Sequence, residues 1–449
     1  MSHLTVNAMG WLCVLLSERF GHTFIIVLES SGLKLELASQ SSGYILFPKL
    51  QEAFFQFDAD LPCSEWDAVS AGWVSVLGRS IPAPGVSQLA QPVIEQKQDH
   101  AVIHYDILGL TYWMLNRIEE VGRTDLDNHQ RFPATASHAY KHGYLERPVV
   151  DEWLHILGQV IQRVWPEIEL TQHHFNMKVS HDVDMPSRYG FCSAKAMFRG
   201  IAADLIKRRD IKSAVAAPFI RSNSAKRLHS VDPFNTFDWL MDQSEKHNLV
   251  SAFYFICGRT DLSKDADYEL EHPAIRELMR RIHKRGHEIG LHPSYNSFQS
   301  PETIQQEAQR LRKVMQEEGI TQKAFGGRMH FLRWQHPETL QACNDAGMTY
   351  DSTLSYADLP GFRCGSCFEY PAFNPVTQQL LDIRIRPLIA MESTIIASRY
   401  LGLGYSSAAY EKFLSLKVCC ECVKGCFTLL WHNSHFLTQD DKRLYLSLV

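Results

Sequence analysis

The chain has 449 residues, of which 45% are hydrophobic, 21% charged and 11% aromatic. This usage excludes a disordered, collagenous or coiled-coil protein, and at roughly 150 residues per domain it leaves room for two or three domains. Lys and Arg number 45 against 50 Asp and Glu, a net charge of −5, which argues against a nucleic-acid binder or a protein drawn to anionic membranes.

Met9 to Leu16 and Phe24 to Leu28 are the longest apolar runs near the start, far below the about 20 residues that span a bilayer. No basic stretch precedes them, and Glu18 and Arg19 soon follow. The expectation is therefore no stable membrane insertion, no secretory leader and a cytoplasmic location. The 11 cysteines then read as free thiols. The first hundred or so residues read as short strands and turns. His22 to Leu28 is β-branched and aromatic, and Leu33 to Ala38 alternates apolar with polar. Ser80 to Gln98 carries three prolines and reads as a loop.

Helical spacing begins at Ile107, Leu110, Trp113, Met114 and Ile118, and a second helix fits Val150 to Val164, closed by Pro166. A boundary near residues 166–174 divides the chain into an N-terminal α+β domain of unknown role, 1–170, and a second domain, 171–449. Beyond the boundary, strand-like stretches are Met177 to Ser180, Ala252 to Ile256, Glu288 to Leu291, Ala324 to Arg328 and Phe427 to Trp431. Helix-like stretches are Phe237 to His247, Pro273 to Arg285, Pro301 to Glu318 and Pro337 to Ala346. This alternation predicts parallel strands joined by crossover helices, an α/β sheet or barrel. A basic, Ala-rich segment predicts a helical insertion near 193–230.

Most chemistry-bearing residues follow the apolar strands, where active sites of parallel α/β folds collect. Asp182 and Asp184 stand two apart in Ser180-His181-Asp182-Val183-Asp184 and share a strand face. A divalent cation would relieve their repulsion and let one bind metal while the other acts as base. His292 ends Gly286-His287-Glu288-Ile289-Gly290-Leu291-His292 and is four residues from Asn296; on one helical turn both would aim at one point. His287 reads as a buried, hydrogen-bonded ring. Arg328, His330, Arg333 and Trp334 lie within seven residues and suit an anionic or sugar-like ligand. Cys364 and Cys367 have metal-ligand spacing without a matched second pair, so ordinary thiols are expected. His432 ends an apolar strand, with the pKa near 6.5 that suits a general acid, though a core histidine is the plainer reading of that residue alone.

The order of these motifs resembles the NodB-like polysaccharide deacetylases, metal-dependent carbohydrate esterases, over about residues 175–449. Gly286 to Gly290 and His292 match the family's second motif position for position. An HDVD motif in place of the usual acidic pair is similar to a bacterial subfamily with an extra N-terminal domain. Tyr105 to Gly109, Arg131-Phe132-Pro133 and Arg147 to Val150 resemble that domain. The resemblance implies a distorted (β/α) barrel with fewer strands than the usual eight. It implies Asp182 as catalytic base, Asp184 and His292 as metal ligands, Arg328 orienting Asp182, and His432 as general acid. Asn296 stands where the family has its second metal histidine, so it becomes the expected third ligand. The third motif lacks its usual Arg-Pro-Pro-Tyr run. Tyr295, His330, Arg333, Trp334 and Arg363 are the expected substrate contacts.

The implied activity is removal of an N-acetyl or related N-acyl group from an amino sugar of a surface polysaccharide or its precursor. The implied cofactor is a divalent metal, Zn or else Co, Ni or Mn, and the implied partner a carbohydrate. Two other readings remain at this point: a catalytically impaired glycan-binding protein on the same fold, which Asn296 favours, and an amidohydrolase acting on a small amide.

Overall fold

The computed structural model describes residues 4–57 and 60–449, without the side chains of 207 and 208. It opens with a helix, Val6–Phe20, where strands and turns were expected. Thr5 caps it by accepting from the Ala8 N–H, and Gly21 ends it at φ 80°. Ala8, Trp11, Leu12, Leu15 and Leu16 form its buried face. Their spacing is helical, and the length of the apolar run alone does not reveal it.

Strands β1 (Phe24–Glu29), β2 (Gly32–Leu37) and β3 (Tyr44–Phe47) follow. Next come β4 (Cys63–Asp67), β5 (Ser80–Pro84), β6 (Ile94–Gln96) and β7 (His100–Ile103). They make a five-stranded sheet in the order β1-β2-β3-β7-β6 and a two-stranded β4-β5 ladder. Two of these strands fall inside the segment expected to be a loop; β5 carries its prolines in a two-stranded ladder, where the missing N–H donors are tolerated. Helices Ile107–Leu115 and Val149–Val164 pack beside this sheet.

The second part contains β8 (Asn176–Val183), β9 (Ser251–Ile256), β10 (Glu288–His292), β11 (Gly326–Gly327) and β12 (Tyr350–Asp351). It continues with β13 (Tyr370–Asn374), β14 (Gln379–Ile385), β15 (Ala390–Met391) and β16 (Cys426–Leu430). They form one sheet in the order β13-β14-β12-β11-β10-β9-β8-β16-β15. Every pairing is parallel except β13 with β14. The fold is thus mixed α/β with a largely parallel sheet. The chain leaving β14 touches strands far apart in that order: the Arg386 N–H donates to Asp351 O at 2.8 Å and the Ile389 N–H to Thr428 O at 3.3 Å.

Crossover helices run over Phe237–Lys246, Pro273–Lys284, Pro301–Glu317 and Glu338–Asp345. Pro273–Lys284 shows why: Ala274, Ile275, Leu278, Met279 and Ile282 recur at helical spacing and are buried, while Arg281 and Lys284 occupy its last turn. Between β8 and the first crossover helix lie helices Ala194–Ala203 and Ile211–Asn223. Strand β11 is shorter than expected and closely packed: a Cβ on Gly326 would lie 1.9 Å from the Tyr350 ring, and one on Gly327 2.2 Å from Leu291 O. The hydrophobic core runs without a break from Trp11 through both sheets to Leu448. Among the described residues, no helix is long and apolar enough to cross a membrane.

Candidate metal centre

The parallel sheet sets the site. β8 alternates its side chains, so Ser180, Asp182 and Asp184 share one face and His181 takes the other. His181 donates from Nδ1 to Trp431 O at 2.6 Å and packs on Phe253. Burial drives its pKa down to about 4, which leaves it neutral. On the inner face, Arg328, just past β11, donates to Asp182 Oδ1 at 2.8 Å, to Ser180 Oγ at 2.9 Å and to Ser352 O at 2.9 Å. Both Arg328 and Asp182 are buried.

Asp184 leaves the end of β8 and His292 ends β10. Their closest atoms, Asp184 Oδ1 and His292 Nε2, lie 3.3 Å apart. His330, beyond β11, brings Nε2 to 3.8 Å from the same carboxylate oxygen. The three ligand atoms all fall within 4.8 Å of one another. Asp184 Oδ1 and His292 Nε2 are buried and, apart from each other, have no hydrogen-bond partner. Each imidazole is anchored through its other nitrogen: His292 Nδ1 donates to Arg328 O at 2.5 Å, and His330 Nδ1 to Asp265 Oδ1 at 3.0 Å. Those bonds leave the Nε2 lone pairs facing Asp184, the tautomer and aim of metal-binding histidines. Burial alone would raise the Asp184 pKa, but His330, His292 and His432 outweigh it and hold the carboxyl well below the usual range. Burial opposes the charged form of His292; Asp182 and Asp184 outweigh it and push its pKa up. The donor set and the unpartnered atoms fit a divalent cation of the Zn, Co or Ni kind.

His432 follows β16 and donates from Nδ1 to Glu392 Oε1 at 2.6 Å, with its Nε2 3.7 Å from Asp184 Oδ2. Burial lowers its pKa, but Glu392 and Asp184 overcome this and carry it to about 10. Glu392 itself, held by His432 and His435 against its burial, titrates far below the usual carboxylate range. A cavity of about 130 Å³ opens over the cluster. Arg131, Phe331, Leu332, Tyr400 and His435 help line it. Phe331 (φ 61°) and Leu332 (φ 56°) are two successive left-handed residues without glycine, a costly turn. Arg131, from the N-terminal part, braces that turn by donating to Phe331 O at 2.8 Å.

The expected site residues divide. Asp182, Asp184, His292, Arg328, His330 and His432 come together. Asn296 does not: itself exposed, it donates from Nδ2 to Thr260 O at 3.1 Å and accepts on Oδ1 from Arg333 at 2.9 Å. The spacing argument assumed a helical turn, whereas Pro293 to Asn296 is irregular. His330 takes the third position, from the neighbouring strand end.

Arg333 is buried, donates to Tyr295 O and His129 O, and stacks on Tyr295 and Phe298. Trp334 is a core residue stacked on His336. Both are turned from the cavity by the left-handed turn that precedes them. Tyr295 stands behind His330, edge-on to its ring, with its hydroxyl on His129. Arg363 is buried against Glu120 (2.5 and 2.9 Å) and Ser355 O, so it joins the two parts of the molecule. Cys364 and Cys367 are buried in the same junction. Glu392 and Asp265 were missed; they sit in segments whose sequence carries no motif, and only their partners give them roles, while Arg131, read only through the resemblance of Arg131-Phe132-Pro133 to an extra N-terminal domain, borders the cavity.

Comparison with known proteins adds little to the geometry. Residues 11–166 match the model of a family of unknown function, DUF7033. No curated protein matches the chain. Among solved structures, the chain is similar to a protein assigned as a polysaccharide deacetylase from Mycobacterium smegmatis, at 15% identity and TM-score 0.40, over 62% of this chain and 83% of that one. It is also similar to Puue allantoinase, at 9% identity and TM-score 0.36, over 62% of this chain and 83% of that one.

Proposed function

We propose that the chain is a metal-dependent hydrolase that removes an N-acyl group, acetyl first of all, from an amino sugar. The observation that carries this reading is the open pair of atoms, Asp184 Oδ1 and His292 Nε2, with His330 Nε2 beside them. Buried donors and acceptors without partners are costly, and a cation satisfies all three at once. Asp184, His292 and His330 would hold it, and when bound it supplies Lewis acidity to an acyl oxygen and to water.

The chain's own residues divide the proton work. Arg328 fixes one oxygen of Asp182 and leaves the other, 3.7 Å from His292 Nε2, facing the centre. That oxygen is placed to take a proton from attacking water. His432, charged at neutral pH by Glu392, is placed across the site to give a proton to the leaving amine. His330 supplies the donor that Asn296 lacked, so the argument for a binding-only relic loses its support. The cavity of about 130 Å³ suits an acetamido group. A groove of about 790 Å³ adjoins it through Ser393, Arg399 and His435 and gives room for sugar beyond the cleaved bond, which favours a carbohydrate over a small amide.

The test is elemental analysis of purified protein followed by acetate release from acetylated amino sugars. About one equivalent of metal, lost in Asp184→Ala/His292→Ala, is expected. Asp182→Asn keeps the Arg328 contact and should lower turnover by about 10²–10⁴-fold. Wild-type turnover in that variant, or a metal-free protein after soaking, overturns the reading.

A further inference from the structure

We propose that Glu392, His432 and His435 form a second, weaker divalent-cation site beside the first. The three ligand atoms lie within 4.8 Å of one another, a set distinct from the Asp184 cluster. Both imidazoles aim Nδ1 at one oxygen: His432 and His435 each reach Glu392 Oε1 at 2.6 Å. The other oxygen, Oε2, is buried and has no partner, on a residue only 2% exposed. One carboxylate oxygen thus serves two rings while its twin is idle, at the cost that burial places on an unpaired acceptor. A cation shared among the two Nδ1 atoms and the carboxylate uses every one of these groups. Imidazole and carboxylate together suit Zn, Co or Ni rather than Mg or Ca.

The set is reachable. His435 has 43% of its side chain exposed, and with Ser393 it borders both the small cavity and the larger groove. Weaker binding follows from that exposure and from the Nδ1 protons the cation must displace. The two sites communicate through one ring, because His432 Nε2 lies 3.7 Å from Asp184 Oδ2.

The experiment titrates the metal-free full-length chain with Co²⁺ alone, by calorimetry and visible absorption. Two classes of site are expected, one tight and one weak. His435→Asn, at an exposed position, should remove only the weak class, and Asp184→Ala only the tight one. Saturation at one equivalent that His435→Asn does not alter overturns the second site. One equivalent lost in His435→Asn and kept in Asp184→Ala supports the second site and overturns the hydrolytic centre.

Discussion

The two parts of the molecule treat buried charge in opposite ways. At the junction built by the N-terminal part, Arg117 is bonded to Glu119 and Glu120, and Arg363 to the same Glu120. Each cation there meets a carboxylate and the cluster is closed. At the carboxyl ends of the parallel strands, Arg328 closes only half of Asp182, and Asp184 and His292 are left with open atoms. Closed charge clusters hold a fold together, whereas open ones await a ligand. The same residue types serve both ends, and only their partners tell them apart.

The sharpest way to break this comparison is to remove one arginine from each region. Arg328→Ala and Arg363→Ala each leave a buried carboxylate unpaired, and each should cost about 3–5 kcal/mol in denaturant unfolding. Only Arg328→Ala should also reduce turnover, since its guanidinium holds Asp182, while the backbone carbonyl that anchors His292 is kept. Equal loss of turnover in both variants would erase the distinction.

A second test lies behind the loop after β10. Glu307 is buried and accepts from the N–H and Oγ of Ser294, two residues past His292. Burial outweighs these bonds and raises its pKa to about 7. The folded state therefore binds this proton more tightly than the unfolded chain. Its contribution is full below the unfolded pKa and is lost as pH rises through about 7, a change of about 3 kcal/mol. Glu307→Gln should remove that part of the slope in unfolding free energy between pH 4.5 and about pH 7. An unchanged slope would place the titration elsewhere.

Smaller effects probe the centre's supports. Asp265→Asn removes the carboxylate that orients His330 and should weaken metal binding about 10–100-fold in chelator competition. Asn296→Ala should change metal affinity less than about twofold, since its amide is engaged with Thr260 and Arg333. A loss comparable to that of His330→Ala would restore Asn296 as a ligand.

Much of the parallel sheet was legible because its strands are apolar runs and its helices keep a 3.6-residue stripe, as in Pro273–Lys284. Asp182 and Asp184 could be paired from sequence because a strand's two-residue period fixes which side chains share a face. His292 and Arg328 were legible as the ends of neighbouring strand-like runs. The helix Val6–Phe20 was missed although its buried spacing was present, because the run's length drew attention and its period did not.

What the sequence determined by itself, then, is whatever local periodicity and a short motif encode: the alternation of strands and helices, the acidic pair, and the histidines waiting at strand ends. Tertiary structure alone decided the partners. His330, and not Asn296, lies beside Asp184 and His292, because the chain after His292 is irregular and a turn beyond β11 carries the imidazole there. Glu392 met His432 because β15 and β16 lie side by side though 34 residues of chain separate them. Arg333, Trp334 and Arg363 became structural because the turn at Phe331 and Leu332, and the closed charges of the N-terminal part, captured them first. Contacts between residues far apart in the chain are set by packing, and no spacing along the sequence carries them.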